Sequence, residues 1–289
     1  ECIAVPTETV YGLAGNAYSN KACKKIYQLK KRPKNNPLIV HYLNIQILKN
    51  DCIFNKDFLK LYKFFCPGPI TFVLRLKKNS KISKIITRNK NSLAVRFPKH
   101  PIIRNLLGKL KFPLAAPSAN ISSRVSAVSS ADVKEDFGKK IKYILDGGKS
   151  SIGLESTIID LRNKPKILRL GGLEISTIQR VLKKRIIINN NPSKISSPGQ
   201  FKLHYSPGIP IRLNVKKKIN KEEAYISIKK PRYKKTNFYF LSKNGNLKEA
   251  AKNLYSTLRK IKKDKYKSIA VSKIPNKGLG KTINDRLLR

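Results

Sequence analysis

Several short stretches of this chain carry residue types that could do chemistry together. Lys30, Arg32 and Lys34 fall in Lys-Lys-Arg-Pro-Lys-Asn-Asn-Pro, where a helical run gives way to a strand-like one. Arg96 sits on an alternating run in which Leu93, Val95 and Phe97 point one way and Ala94 and Arg96 the other. Ser118 and Asn120 follow Ala115-Ala116-Pro117. Glu155-Ser156-Thr157 opens a strand-like run, and Arg169 interrupts an otherwise apolar one. Cations with small hydroxyl and amide groups at strand ends suit recognition of phosphate and carboxylate without a glycine-rich loop.

Each of these residues also has a plainer reading. Lys30 to Lys34 could be favourable charge at a helix C-terminus. Ser118 and Asn120 could be ordinary turn residues. A guanidinium on the inner face of a strand must find an anion or several acceptors, so Arg96 could sit in a buried ion pair. His41, in Leu38-Ile39-Val40-His41, could be a satisfied core histidine.

Familiar nucleotide signatures are absent. No GxGxxG follows a strand. Gly280-Lys281-Thr282 imitates the end of a phosphate-binding loop, but Pro275 stands where its first glycine belongs. There is no Ser-His-Asp order and no HExxH. Catalysis by positioning and electrostatics is therefore expected over a strong general base.

These residues need elements to position them. Helical spacing is read over Ala22 to Leu29, with Asn20 as cap and Pro33 as stop. Further helices are expected over 56–65, 101–110, 174–184 and 247–261. Strands are expected at 3–5, 37–42, 71–76, 93–97, 114–116, 141–145, 156–161 and 166–170. More follow at 209–215, 224–228, 237–241 and 268–274. Punctuation by Asn, Ser, Pro and Gly between about 189 and 210 reads as a linker. Beyond it, strand, long helix and strand imply a right-handed parallel crossover. The expected fold is α/β: a twisted, largely mixed sheet flanked by helices over 1–186, a linker or lid over 187–208, and a small Rossmann-like α/β domain over 209–289.

The chain has 289 residues, 40% of them apolar, enough for two packed domains. No apolar run approaches the roughly 18 residues of a membrane helix, so no membrane partner is expected. Four cysteines, Cys2, Cys23, Cys52 and Cys66, form no CxxC pair, which excludes a disulfide scaffold and disfavours a zinc site. Their dispersal fits a reducing, cytoplasmic setting. Residue 1 is glutamate and methionine is absent; an element and any targeting segment are expected to precede the sequence. Sixty-three basic residues against 16 acidic ones give +47. That charge attracts polyanions, and contact with RNA, including double-stranded RNA and tRNA, is expected from it. The abundance of lysine, asparagine and isoleucine equally fits compositional drift under an AT-rich coding bias.

Taken in order, the motifs resemble a known family. They are Pro6-Thr7-Glu8-Thr9-Val10-Tyr11-Gly12-Leu13, Lys30-Lys31-Arg32-Pro33 and Asn36-Pro37-Leu38-Ile39-Val40-His41. Pro67-Gly68-Pro69-Ile70-Thr71, Ala94-Val95-Arg96, Ala115 to Asn120 and Glu155-Ser156-Thr157-Ile158 follow. These resemble the threonylcarbamoyl-AMP synthases with their YrdC-type fold. His204-Tyr205-Ser206-Pro207, Gly278-Leu279-Gly280 and Asn284-Asp285-Arg286-Leu287 resemble the longer, two-domain form. The resemblance implies that L-threonine and bicarbonate give a carbamate, which attacks the α-phosphorus of ATP. Threonylcarbamoyl-AMP and pyrophosphate result, with Mg2+ on the triphosphate. Partner proteins then transfer the threonylcarbamoyl group to the adenosine beside the anticodon of tRNA.

By the same resemblance Thr9, His41, Arg96, Ala116 and Ser156 would surround threonine. Arg32, Asn36, Ser92, Ser118, Ser126, Arg169 and Tyr205 would hold ATP. Lys30, Arg32, Ser118 and Asn120 would form the catalytic set. Leu170-Gly171-Gly172 replaces the family's usual proline-glycine pair after Arg169. Two other readings compete: a non-catalytic RNA-binding protein on the same fold, and a carbamoyl-transfer domain of hydrogenase maturation. The second would normally bring zinc-binding cysteines and an acylphosphatase-like segment, and neither is present.

Overall fold

A computed structural model describes residues 1–189, 205–216, 220–231 and 237–289. The expected linker over 187–208 therefore lies largely outside the described residues. The first ten strands are β1 (Ile3–Val5), β2 (Gly12–Asn16), β3 (Ile39–His41), β4 (Cys52–Ile53), β5 (Ile70–Leu76), β6 (Ser92–Arg96), β7 (Leu114–Ala115), β8 (Thr157–Asp160), β9 (Lys166–Arg169) and β10 (Ile187–Ile188). They form one mixed sheet in the order β1-β2-β7-β3-β6-β5-β8-β9-β10, with β4 on the end of β5. Because β10 pairs with β9, this sheet runs into the stretch read as linker.

Strand alternation divides the sheet into two faces with different jobs. Val40, Phe72, Val95 and Ile159 face the main core, which helices cover. Ile39, Val73, Ala94, Ile158 and Leu168 form a separate small apolar cluster on the opposite face. By the same alternation His41, Thr71, Ser92, Arg96 and Ser156 belong to that second face. The polar residues at its edge are therefore set by the pleat.

The helix Asn20–Lys30 explains how a lysine is forced inward. Ser19, one residue before the expected cap, accepts from Ala22 N. Ala22, Cys23, Ile26, Tyr27 and Lys30 are its buried residues, so Lys30 is the last member of the apolar stripe. The helix ends at Lys31, which takes the left-handed conformation (φ 50°), rather than at Pro33.

Other expectations are adjusted. Residues 141–145 make only an isolated bridge between Ala4 and Ile144, held by hydrogen bonds at Tyr143 and Leu145, and not a strand. The strand expected over 209–215 shortens to β11 (Ile211–Arg212). The helix Ser130–Phe137 was not foreseen; Ser129 and Asp132 start it with a capping box.

The C-terminal region holds β11, β12 (Glu223–Lys229), β13 (Phe238–Ser242) and β14 (Ser268–Val271) in the order β11-β14-β12-β13, all parallel. The long helix Leu247–Lys263 joins β13 to β14, and the helix Leu279–Leu287 follows. Their core takes in Val10, Val125, Val128 and Leu154 from the first region, so the two regions share apolar packing.

Candidate active site

A cleft lies on the second face of the sheet. Arg32, His41, Arg96, Ala116, Ser118, Ser156, Arg169 and Tyr205 line it, with Tyr11 and Glu155 among their neighbours. Four more of the expected site residues touch the lining, and a fifth, Thr9, reaches it through Thr7. Thr9 shares a 2.8 Å hydroxyl contact with Thr7, which lies 3.5 Å from Arg96 Nη2. Asn36 Oδ1 accepts from Arg32 Nη2 at 2.5 Å. Ser126 Oγ donates to Glu155 Oε1 at 2.6 Å. Lys30 and Asn120 meet at the loop after β7. Ser92 stands apart: it shares the face of Ala94 and Arg96 but is four residues back along β6, roughly 13 Å away at strand rise.

Lys30 ties that loop down. Its Nζ donates to the carbonyls of Ser118 and Asn120, each at 2.5 Å. Ser122 N returns a bond to Lys30 O at 2.8 Å. The Asn120 Nδ2 donates to the carbonyls of Ile121 and Arg124, and its buried Oδ1 has no partner among the described residues. Burial, and then the Arg32 charge, pull the Lys30 ammonium well below the ordinary lysine value.

Arg96 and Glu8 form a buried pair, Nη2 to Oε1 at 2.8 Å. The ion-pair alternative weighed for Arg96 is thus met on one side of its guanidinium. Among the described residues, nothing partners the buried Arg96 Nε or His41 Nδ1. Two neighbouring orphaned polar atoms on a cleft wall mark a place where a ligand would supply the missing bonds. Burial and then Arg96 hold the His41 imidazole well below its usual value, so it is neutral at pH 7.

On the other wall, Arg169 donates through Nε and Nη2 to Ser156 O and through Nη2 to Ser156 Oγ. Ser156 Oγ also meets Thr71 Oγ1 at 2.7 Å. Arg32 points to Asn36 O and Pro37 O, and burial lowers its value to about 10. Three guanidiniums therefore converge where the bordering carboxylates, Glu8 and Glu155, are each already paired.

Glu8, Glu155, Tyr255 and Arg286 were not singled out as site residues from sequence. A signal existed for the first two. With 16 acidic residues against 63 basic ones, a carboxylate within a tight polar turn must be paired. Arg286 stands within the Asn284-Asp285-Arg286-Leu287 motif but was given no role there, and nothing local marks Tyr255; both meet Glu155, 131 and 100 residues away.

Comparison with known proteins places this arrangement. Residues 1–171 match the family described as Telomere recombination, and residues 173–289 match the Threonylcarbamoyl-AMP synthase, C-terminal domain. A threonylcarbamoyl-AMP synthase of Pyrococcus abyssi is 35% identical over 99% of this chain and 88% of its own length. One from Bacillus subtilis is 32% identical over 100% and 89%. The crystal structure of Pyrococcus abyssi Sua5 complexed with L-threonine superposes with a TM-score of 0.90 at 33% identity, covering 99% of this chain and 89% of that one. Escherichia coli YciO, at 23% identity and a TM-score of 0.53, shares the fold over 59% of this chain and 82% of its own. The chain therefore belongs to the threonylcarbamoyl-AMP synthase family.

Proposed function

We propose that this chain condenses L-threonine, bicarbonate and ATP to threonylcarbamoyl-AMP and pyrophosphate. The observation that carries this reading is the convergence of Arg32, Arg96 and Arg169 on one cleft with Lys30 behind its loop. Substrates with several negative charges, a carboxylate and a triphosphate, match that field.

The roles follow from the geometry. Arg96, anchored by Glu8 and carrying an unpartnered Nε, receives the threonine carboxylate; neutral His41 lies beside it as a hydrogen-bonding group. Threonine amine and bicarbonate lose water to give a carbamate. A carbamate oxygen attacks the α-phosphorus, and the bond to the β-phosphate bridging oxygen breaks. Arg32, Arg169 and Lys30 offset the charge that develops on the phosphates. The nucleophile is already an anion, so no strong base is needed. Ala116 would pack against threonine, and Thr9 would support Arg96 through Thr7. Ser118, Asn120, Asn36 and Ser126 would order the nucleotide side, with Tyr205 closing it. Glu8 and Glu155, which border the cleft, are committed to arginines, so magnesium would enter with the ATP triphosphate.

The two sheets support a division into a catalytic domain and a smaller α/β domain over 209–289, with the first sheet running through Ile188, two residues past the expected bound of 186. The product would pass to proteins that transfer the threonylcarbamoyl group to tRNA, and the +47 surface would favour contact with RNA. Four unpaired cysteines support a reducing, cytoplasmic setting.

The test is pyrophosphate release from ATP with and without L-threonine and bicarbonate. Release that needs both is expected. Release that ignores either one, or none at all from folded protein, would overturn the reading.

A further inference from the structure

The helix Leu279–Leu287 carries Thr282 and Arg286 one turn apart on a single face. Thr282 Oγ1 donates to Gly171 O at 3.1 Å, and Arg286 Nη2 donates to Leu170 O at 2.5 Å. Those carbonyls belong to the two residues directly after Arg169. Arg286 Nε also donates to Glu155 Oε2 at 3.0 Å, and Glu155 directly precedes Ser156. The Arg286 side chain is fully buried and lies 4.5 Å from the centre of the Tyr205 ring. One helix of the C-terminal region thus grips the backbone flanking two cleft residues and packs on a third.

The gripped strands are themselves closely joined. Gly172 N donates to Glu155 O at 2.8 Å, and a side chain at Gly171 would run into Thr157 N and Glu155 O. A displacement of either strand end is therefore felt by the other. The charges matter equally. Glu155 Oε1 takes the Ser126 hydroxyl, and Oε2 takes Tyr255 and Arg286. Arg169 is near enough to act on Glu155 through space. Were Arg286 absent, the nearest guanidinium left to satisfy Glu155 would be Arg169, whose charge the cleft needs.

We propose that Arg286 and Thr282 are positioning residues for the nucleotide half of the site. They fix the backbone at Leu170 and Gly171 and hold Glu155 away from Arg169, so that Arg169 faces the phosphates. This makes docking of the C-terminal region a condition for ATP binding; it reaches the threonine side only through Ser156 and leaves the Glu8–Arg96 pair outside its contacts. The inference rests on the reading of the cleft as a synthase site.

The experiment uses the full chain with Arg286→Lys, which keeps the charge and loses the fork, and Thr282→Val, which keeps the shape and loses one bond. Melting curves confirm folding, steady-state kinetics give KM for each substrate, and equilibrium dialysis with radiolabelled ATP alone gives affinity without turnover. Arg286→Lys should raise the ATP KM about tenfold, the loss expected from a charge-assisted hydrogen bond, with the threonine KM held within about twofold. Thr282→Val should raise it about threefold. A merely structural role would lower kcat by shrinking the active fraction and leave both KM values in place; that result overturns the proposal, as does an equal rise for both substrates. If Arg286→Lys does not fold, Thr282→Val decides. Should wild-type protein release no pyrophosphate, the synthase reading falls, and dialysis still decides this one: ATP affinity equal in wild type and variants overturns it.

Discussion

Arg96 Nη2 stands 2.8 Å from Glu8 Oε1, with both side chains almost wholly buried, and the Nε of this cleft-lining arginine has no partner among the described residues. Glu8 orients the guanidinium by one edge and leaves the other for a ligand. Removing one member of such a pair leaves an uncompensated buried charge.

Arg96→Ala should accordingly separate the substrates. Loss of charge-assisted bonds worth about 1.5–3 kcal/mol predicts a threonine KM higher by about 10- to 150-fold. The ATP KM should change by less than about threefold, since no nucleotide bond is assigned to Arg96. Initial rates with each substrate varied in turn check this. Equal losses for both would remove Arg96 from the threonine wall.

Lys30 gives an expectation for pH. Its proposed role, offsetting phosphate charge from behind the loop that it ties down, needs the ammonium form. Burial first, and Arg32 second, place its folded value well below the ordinary 10.5. Activity should therefore decline as pH rises through that lowered value, earlier than for a free lysine. Stability moves the opposite way. Between the folded value and 10.5 the unfolded chain holds more protons, so raising pH favours the folded state. A kcat profile from pH 7 to 10, alongside melting temperatures, reads both trends. A flat profile to pH 10 would deny Lys30 the charged role, and Lys30→Met should abolish the alkaline limb together with most activity.

How far the sequence carried these readings depends on the range over which each signal acts. The Asn20–Lys30 helix follows from spacing within eleven residues, and Arg96 was placed on the correct face by alternation alone. Its ion-pair alternative is part of the sequence reading, but its partner Glu8 lies 88 residues away, and no local pattern joins the two. The order β2-β7-β3 is of the same kind, because β7 is inserted between strands that precede it by more than seventy residues. Gly280-Lys281-Thr282 looked like the end of a nucleotide loop. In the fold Thr282 serves the carbonyl of Gly171 instead.

Glu155 gives a second expectation for pH. Burial alone would push its carboxyl up. Arg286, Arg169 and the Ser126 hydroxyl more than offset that, and the net value lies below the usual 4.5. A depressed carboxyl contributes stability that is present above its unfolded value and lost as pH falls through the folded one. Wild-type protein should lose melting temperature steeply below about pH 4.5, and Glu155→Gln should flatten that acid limb. At pH 7 the variant leaves Arg286 with Asp285 as its remaining carboxylate partner, so the loss should stay below the about 3–5 kcal/mol of a fully broken buried pair, that is below about 6–10 °C of melting temperature. An acid limb identical in both proteins would show that the pair is not coupled to folding.

Tyr205 tests the closing wall through its ring rather than its hydroxyl. The ring lies over the Arg286 guanidinium and stacks on Tyr255 at 6.0 Å and 16°. Tyr205→Phe keeps both contacts and should hold the ATP KM within about threefold, the ring face being what a cation senses. Tyr205→Leu keeps apolar bulk but loses the π face. A desolvated cation–π contact of about 1–2 kcal/mol then predicts an ATP KM higher by about 5- to 30-fold. The threonine KM should stay put in both variants, because Tyr205 belongs to the wall of Arg169 and Arg286 rather than that of Arg96 and Glu8. If both variants keep the ATP KM within about threefold, the ring contributes only volume. If Phe fails as badly as Leu, the hydroxyl and not the ring is the group that holds the nucleotide.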